Sequence, residues 1–292
     1  MSVPTQSGGE SRLRPRLRTA RLAWLTRDAT TAAATAFLVL VALVAVFGPL
    51  LLPFDPNQTD LRLRMAPPHW PHVLGTDEQG RDILSRVVLG TRMTMGMGLA
   101  SLALGGGGGV ALGILAAYYR RLDGIAMRAM DLLLSFPAIL LGLVIVSLTG
   151  PGPGGIVAAL AIATMPPVAR IARSTAVVVV RQDYVTAARV VGLPDTAILL
   201  RYVARNCISS ITVYLTLRLG QVVLLAAALS FLGLGAQPPA AELGTMASQG
   251  RSFLFLAPHV SLVPSLTIFL IVLAINIVGD ALRDRLDPRM AV

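Results

Sequence analysis

The side chains that most often do chemistry in proteins are sparse in this sequence. All 25 basic residues are arginine, so the chain contains no lysine. Without lysine it can form neither a Walker A phosphate loop nor a Schiff-base site. Cys207 is the single cysteine, which excludes an intrachain disulfide and a CxxC motif. We therefore expect no catalytic site, and any ATP that drives this protein must be hydrolysed by another chain.

The histidines do not form a recognisable metal-binding pattern. His69 and His72 are three residues apart, but they lie in a proline-rich stretch where no helix would align their rings. A metal site needs a full ligand set, which this stretch does not offer. We expect both histidines to be exposed in a loop and predict no metal site.

The composition predicts a membrane protein built from helices. Hydrophobic residues make up 54% of the chain, and charged residues only 14%. The charges fall in clusters separated by long apolar gaps, and about 20 apolar residues suffice to cross a bilayer as a helix. The gaps predict an all-α integral membrane protein with six transmembrane helices, near 30–52, 95–118, 131–149, 156–180, 208–232 and 260–281.

The arginines predict the orientation, because basic residues concentrate on the cytoplasmic side of a membrane. Eighteen of the 25 arginines would be cytoplasmic if both termini are inside, and six would be outside. The basic leader 1–28 would then lie against anionic membrane lipid, and 29–292 would form the six-helix domain. This topology explains the net charge of +10 without a nucleic-acid partner.

The long outer segment 54–92 contains a helix-start pattern. Thr76 and Gln79 have the spacing of a capping box, in which Thr76 caps the helix and Gln79 reaches back. The apolar residues that follow, from Ile83 to Val88, would share one face of a short amphipathic helix along the membrane surface. That helix could seal the bundle or face a partner protein.

The polar segment 181–206 is too charged to span a membrane and contains two short helical stretches, 184–191 and 196–203. Gly192 can adopt the left-handed conformation that ends the first stretch, and Asp195 can cap the second. Ala187 and Ala188 are small enough for a partner to approach closely. The segment could be a docking element or a solvated connecting loop.

Three features inside the predicted spans attract attention. Residues 105–109 are five consecutive glycines, which favour close helix packing or a hinge. Pro166 and Pro167 remove two backbone donors and should kink their helix, which could then line a pathway. Arg218 lies deep in the fifth span, where its charge requires a polar environment. It could contact substrate or a gate residue, or form a structural pair.

Several blocks together resemble a known family, the C-type permeases of dipeptide and oligopeptide ABC importers. Residues 187–192 are similar to the centre of the "EAA" motif of ABC importer permeases, although Thr186 replaces the usual Glu and Ala204-Arg205 the usual Leu-Pro. Further blocks similar to this family occur, in the expected order, at 74–86, 130–137, 229–239 and 279–288.

The resemblance implies a type I ABC importer permease fold with a cytoplasmic coupling helix. It implies that the loop 181–206 couples to ATPase subunits through Tyr184, Ala187, Ala188, Arg189, Gly192, Leu193 and Asp195. It marks Gly75, Thr76, Asp77, Gly80, Arg81 and Asp82 as an extracytoplasmic signature. Pro166, Pro167 and Arg218 are our candidates for the pathway or gate.

The resemblance also implies partners and a location. The expected partners are a homologous second permease, two ATP-binding subunits or a fused pair, and an extracytoplasmic substrate-binding protein, all at a bacterial inner membrane. ATP and magnesium would bind to the partner subunits and peptide would be the substrate. The alternatives are a nickel or other small-solute importer, a stand-alone secondary transporter and a membrane enzyme. For the last two, the sequence lacks the acidic coupling sites of a secondary transporter and the clustered catalytic residues of an enzyme.

Overall fold

A computed structural model describes residues 28–286, and the regular elements in that part of the chain are helices. The predicted leader 1–28 lies outside these residues except for Asp28. The helices, numbered here in chain order, are α1 (Ala29–Phe47), α2 (Ile83–Tyr118), α3 (Arg120–Leu134), α4 (Ala138–Thr149), α5 (Pro153–Val180), α6 (Asp183–Val190), α7 (Asp195–Leu234), α8 (Leu243–Gly250) and α9 (His259–Leu286).

Among the described residues, five helices are long and apolar enough to cross a membrane, namely α1, α2, α5, α7 and α9. Helices α3 and α4 satisfy the same test only as a pair, with a bend of 94° between them. By length and composition, residues 28–286 therefore contain five spans, or the six predicted ones when the bent pair is counted as one broken span. The prediction of one continuous helix over 131–149 is wrong, because Pro137 has an extended ψ of 132° and restarts the chain as α4.

Two short helices that the sequence separates from the spans are continuous with them. The amphipathic stretch after Ile83 is the start of α2, which runs for 36 residues and includes a π-helical turn at Leu102–Gly106. The stretch 196–203 is likewise the start of α7, with a π-helical segment at Ile198–Ala204. Neither junction contains a proline, so nothing removes the backbone hydrogen bonds that continue a helix.

The glycine run packs α2 closely against α5. A Cβ atom added to Gly105, Gly109 or Gly113 would lie 2.2, 2.7 or 2.4 Å from a carbonyl oxygen of α5. These glycines recur every four residues, which places them on one face of the helix. The prediction of close packing is confirmed, and the small-residue face extends beyond the run to Gly113.

Helix α5 is the most enclosed of the spanning helices. In its most apolar 18-residue window 61% of residues are buried, against 11% for α1. It runs through both Pro166 and Pro167 without ending. The bundle therefore has a central helix in contact with α2, α3, α4 and α7, and α1 lies at its periphery.

Candidate functional site

The short helix α6 presents two different faces. Val185 and Ala188 are 0% and 6% exposed and belong to an apolar cluster with residues of α2, α5 and α7. Tyr184, Ala187 and Val190 lie on the other side and are exposed, Val190 at 83%. Ala188 is therefore covered and only Ala187 is exposed to a partner's approach, because Ala188 shares the face of Val185, three residues before it. Helix α6 is thus anchored to the bundle by its buried face and exposes an apolar surface on its other face.

The end of α6 has the geometry that the sequence predicts. Gly192 has a φ of +82°, in the left-handed region, and its N–H donates to the carbonyl of Arg189 at 3.0 Å. The N–H of Leu193 donates to the carbonyl of Ala188 at 3.1 Å, and the Leu193 side chain packs against the apolar cluster below α6. These bonds satisfy the last carbonyls of α6 and turn the chain sharply into α7.

The prediction that Asp195 caps α7 is wrong. Pro194 occupies the N-cap position without a side-chain hydrogen bond, and Asp195 is the first residue of the helix. The Asp195 carboxylate instead accepts hydrogen bonds from the hydroxyls of Tyr118 (2.6 Å) and Tyr119 (3.1 Å) at the end of α2. Arg189 lies over the Tyr118 ring, 4.8 Å from its centroid. The bond to Asp195 raises the pKa of Tyr119 by stabilising the protonated phenol. These contacts connect both sides of the α6–α7 turn to α2.

At the opposite end of the bundle, five charged or polar residues form a buried group that we call the polar cluster. Its members are His72, Asp77, Arg81, Asp82 and Arg86, each no more than 9% exposed. Asp77 accepts from Arg81 Nε at 2.7 Å and lies 3.4 Å from Arg86 Nε. His72 Nδ1 is 3.0 Å from Asp82, so the expectation of an exposed His72 is wrong. The outer segment covers these charges and pairs them internally.

The capping-box prediction at Thr76 is also wrong. Asp82 is the N-cap of α2, and its carboxylate accepts from the N–H of Ser85 at 2.8 Å. The Thr76 hydroxyl donates to the carbonyl of Leu63 and accepts from the N–H of Ala66 at 2.9 Å. Thr76 therefore ties two parts of the outer segment together instead of starting a helix.

Two signature glycines occupy conformations that other residues rarely adopt. Gly75 and Gly80 have φ values of +78° and +75°, and a Cβ at Gly80 would lie 1.8 Å from the carbonyl oxygen of Asp60. A Cβ at Gly75 would lie 2.9 Å from the ring of His259 in α9. The predicted signature residues thus meet in one place and fold the outer segment onto the ends of α2 and α9.

Arg218 and the two prolines are not part of either cluster. Arg218 Nη1 donates to Gln221 on the same helix, and its Nε atom is buried without a hydrogen-bond partner among the described residues. No carboxylate in residues 28–286 lies within 4.0 Å of its guanidinium, so the structural-pair alternative finds no acidic partner there. Pro166 is buried, and Pro167 is partly buried.

Sequence reasoning missed Glu242, which is fully buried. Its carboxylate accepts from the N–H groups of Gly244 (2.9 Å) and Thr245 (2.8 Å), and so caps α8. It also accepts from the Thr94 hydroxyl of α2 at 2.9 Å. The signal available in the sequence is a lone carboxylate in the otherwise uncharged stretch 233–250, just before a helix whose N-terminus favours negative charge.

Comparison with known proteins agrees with this architecture. The family described as "Binding-protein-dependent transport system inner membrane component" matches residues 109–292. The "N-terminal TM domain of oligopeptide transport permease C" matches residues 20–68.

Two curated relatives and a solved structure extend the comparison. The glutathione transport system permease protein GsiD of Pectobacterium atrosepticum is 42% identical over 90% of this chain and 88% of its own. A Brucella suis protein, provisionally named a peptide transport system permease, is 42% identical over 87% and 86%. The crystal structure of an amino acid ABC transporter with histidines has 18% identity and a TM-score of 0.53, over 69% of this chain and 94% of that one, which shows likeness of fold.

The chain therefore belongs to the inner membrane components of binding-protein-dependent transport systems, which are the permease subunits of ABC importers. Within that family it is a C-type permease, a multi-pass protein of the inner membrane with the type I permease fold. The family resemblance inferred from the five sequence blocks is confirmed. A permease subunit is a translocation subunit. The absence of lysine, which a Walker A phosphate loop requires, agrees with that assignment.

Proposed function

We propose that this chain is the translocation subunit of an ABC importer that takes up di- and oligopeptides delivered by a substrate-binding protein. The observation that carries the proposal is the 42% identity, over most of both chains, to permeases named for glutathione and peptide transport. Glutathione is itself a tripeptide, so both names refer to transport of peptides.

The exposed face of α6 is the proposed contact for an ATP-binding subunit. Tyr184, Ala187, Val190 and Val191 present apolar surface there, with Val191 80% exposed. Removing apolar surface from water contributes about 25 cal/mol per Å², which must first offset the cost of association. Ala188, Arg189, Gly192, Leu193 and Asp195 would act from behind this face by fixing the position of α6 on the bundle.

Fixation matters because the coupling helix must transmit force. When two ATP-binding subunits close around ATP and magnesium, they would move α6 as a rigid body. The apolar cluster beneath α6 and the Asp195–tyrosine bonds would pass that movement to α2, α5 and α7. The bundle would then alternate between access from the outside and access from the cytoplasm, with a homologous second permease forming the other half of the pathway.

The proposed orientation places both termini and the loop 181–206 in the cytoplasm, and the segment 54–92 outside. It follows from the arginine distribution, since eighteen of the 25 arginines then face the cytoplasm. The leader 1–28 would lie along the inner leaflet, and residues 29–292 would form one permease domain. The signature residues around the polar cluster would shape the surface that meets the binding protein.

Pro166, Pro167 and Arg218 remain our candidates for the pathway or gate. The buried Nε–H group of Arg218 has no hydrogen-bond acceptor among the described residues. A free donor in the middle of the membrane suits a polar substrate or a gate residue of the second permease.

Reconstitution tests the proposed function. The chain, its second permease and its ATP-binding subunits would be purified together, placed in liposomes and supplied with the binding protein and radiolabelled trialanine. We expect ATP-dependent accumulation of trialanine that requires the binding protein. ATP hydrolysis without peptide accumulation, together with accumulation of nickel, would overturn the peptide assignment. Failure to co-purify with any ATP-binding subunit would overturn the importer assignment itself.

A further inference from the structure

A cavity of about 650 Å³ opens on one side of the bundle, near the end that carries the polar cluster. One face of α2 forms its main wall, through Leu89, Arg92, Met93, Gly96 and Met97. These positions follow the i, i+3, i+4, i+7 spacing of a single helix face. The start of α5, with Pro153 and Val157, lies opposite. Volumes between about 300 and 1,000 Å³ are usual for small-molecule sites.

The lining is apolar apart from one cation and one amide. Arg92 is the only charged side chain among the residues that line the cavity, and Asn57 supplies the amide. No carboxylate lines it. An apolar wall with a single charge fixes the orientation of a ligand that carries the opposite charge.

Arg92 differs from the other arginines near it. Arg81 and Arg86 are buried and are held by the carboxylate of Asp77. Arg92 lies six residues beyond Arg86, about 9 Å along the helix. It is exposed, and it makes no ion pair or hydrogen bond within residues 28–286. Its charge is therefore available to a molecule that enters the cavity.

The length of α2 places the cavity near the outer edge of the membrane. About 20 residues of helix cross the hydrocarbon core, so counting back from Tyr118 brings the outer boundary to about residue 98. Arg92 then lies in the aqueous outer mouth of the bundle, in the orientation proposed above. A substrate released by a binding protein would meet this cavity first.

We propose that this cavity is an outer-mouth subsite in which Arg92 binds a carboxylate of the incoming peptide while the apolar wall accepts its side chains. The inference rests on the proposed peptide function and deepens it. The occupant is the substrate rather than a lipid headgroup, because the lining combines one cation with a concave apolar wall of peptide size. The guanidinium would form a charge-assisted hydrogen bond with the carboxylate.

The test compares two probes, trialanine and its C-terminal amide, which differ in the one group that Arg92 is proposed to bind. Uptake is measured with the intact reconstituted complex and the same binding protein throughout. We expect Arg92→Gln to lower the uptake rate of trialanine about tenfold, the effect of losing one hydrogen bond to a charged group. Uptake of the amide should change less than about twofold. Arg64→Gln, an exposed outer arginine that does not line the cavity, should leave both rates unchanged.

A second pair of variants tests the cavity itself. Gly96 lines it, and a Cβ there meets nothing within 4 Å, so Gly96→Leu can fill the space without disturbing the fold. We expect it to slow uptake of both probes. Gly107 has the same free space but does not line the cavity, and Gly107→Leu should be neutral.

The outcomes separate the two proposals. If Arg92→Gln lowers the uptake of both probes equally, Arg92 serves assembly or lipid binding, and the subsite is wrong while the peptide function stands. If the unaltered complex hydrolyses ATP but accumulates neither probe, the peptide function is wrong and the subsite falls with it.

Discussion

Replacing Asp77 should destabilise the permease far more than replacing its neighbour. Asp77 accepts from the backbone N–H groups of Gln79 (2.8 Å) and Arg81 (3.0 Å), and it pairs with the side chains of Arg81 and Arg86. Both arginines are 2% exposed, so Asp77→Asn leaves two buried cations without their carboxylate. Removing one partner of a buried ion pair costs about 3–5 kcal/mol. At about 2–4 °C per kcal/mol, the melting temperature should fall by at least about 6 °C.

The matched control is Glu78→Gln, which removes the same charge one residue away. Glu78 is only partly buried, and its side chain makes no hydrogen bond or ion pair among the described residues. The Glu78 charge attracts Arg86 more weakly than the Asp77 charge does, so we expect Glu78→Gln to cost about 1 kcal/mol or less. Both variants would be heated in detergent and the surviving monodisperse fraction measured by size-exclusion chromatography. Equal melting temperatures for the two variants would refute the reasoning that Asp77 holds the outer segment together.

Two further substitutions test the packing of α2 against α5 and the cap of α8. Gly109→Val should prevent α2 from approaching α5, because a Cβ at Gly109 would lie 2.7 Å from the carbonyl oxygen of Met165, whereas Gly107→Val meets nothing within 4 Å. Membrane yield of folded protein should fall for Gly109→Val alone, and equal yields would contradict the close packing. Glu242→Gln should lower the melting temperature by several degrees, since bonds to a charged acceptor contribute about 1.5–3 kcal/mol; an unchanged value would show that the carboxylate is dispensable for capping α8.

The sequence predicts the number of spans well, because hydropathy is a local property that a stretch of about 20 residues carries by itself. It predicts the left-handed Gly192 and the glycine packing for the same reason, since both depend on residue type and short spacing. The continuity of α2 and α7 is harder to predict. Polar residues near Ile83 and Arg205 suggest a boundary, but a helix ends only where its backbone bonds are interrupted.

The polar cluster could not be predicted, because its burial depends on contacts distant in sequence. When only the local pattern is considered, the polar face of an amphipathic helix is formed by Arg81, Asp82, Ser85 and Arg86. Burial follows from the fold of the outer segment, in which the Gly80 turn approaches the carbonyl of Asp60 and Gly75 lies against His259. The distinction between Ala187 and Ala188 has the same origin, since the apolar cluster below α6 decides which alanine is covered.

The central claim is that α6 couples ATP hydrolysis to transport, and Gly192 offers the most direct measurement of it. Gly192 has a φ of +82°, and a Cβ there meets nothing within 4 Å, so Gly192→Val acts through backbone strain of about 1–3 kcal/mol. Gly150, just before α5, has a φ of +91°, a ψ of 153° and equal free space, a conformation essentially restricted to glycine, so Gly150→Val is a control that imposes at least as much backbone strain.

The measurement is the number of trialanine molecules taken up for each ATP hydrolysed by the reconstituted complex. With Gly192→Val the complex should assemble and hydrolyse ATP, while this ratio falls about tenfold because α6 no longer holds its position on the bundle. With Gly150→Val the ratio should stay at the value of the unaltered complex. An unchanged ratio with Gly192→Val, in a fully assembled complex, would contradict the assignment of α6 as the coupling helix.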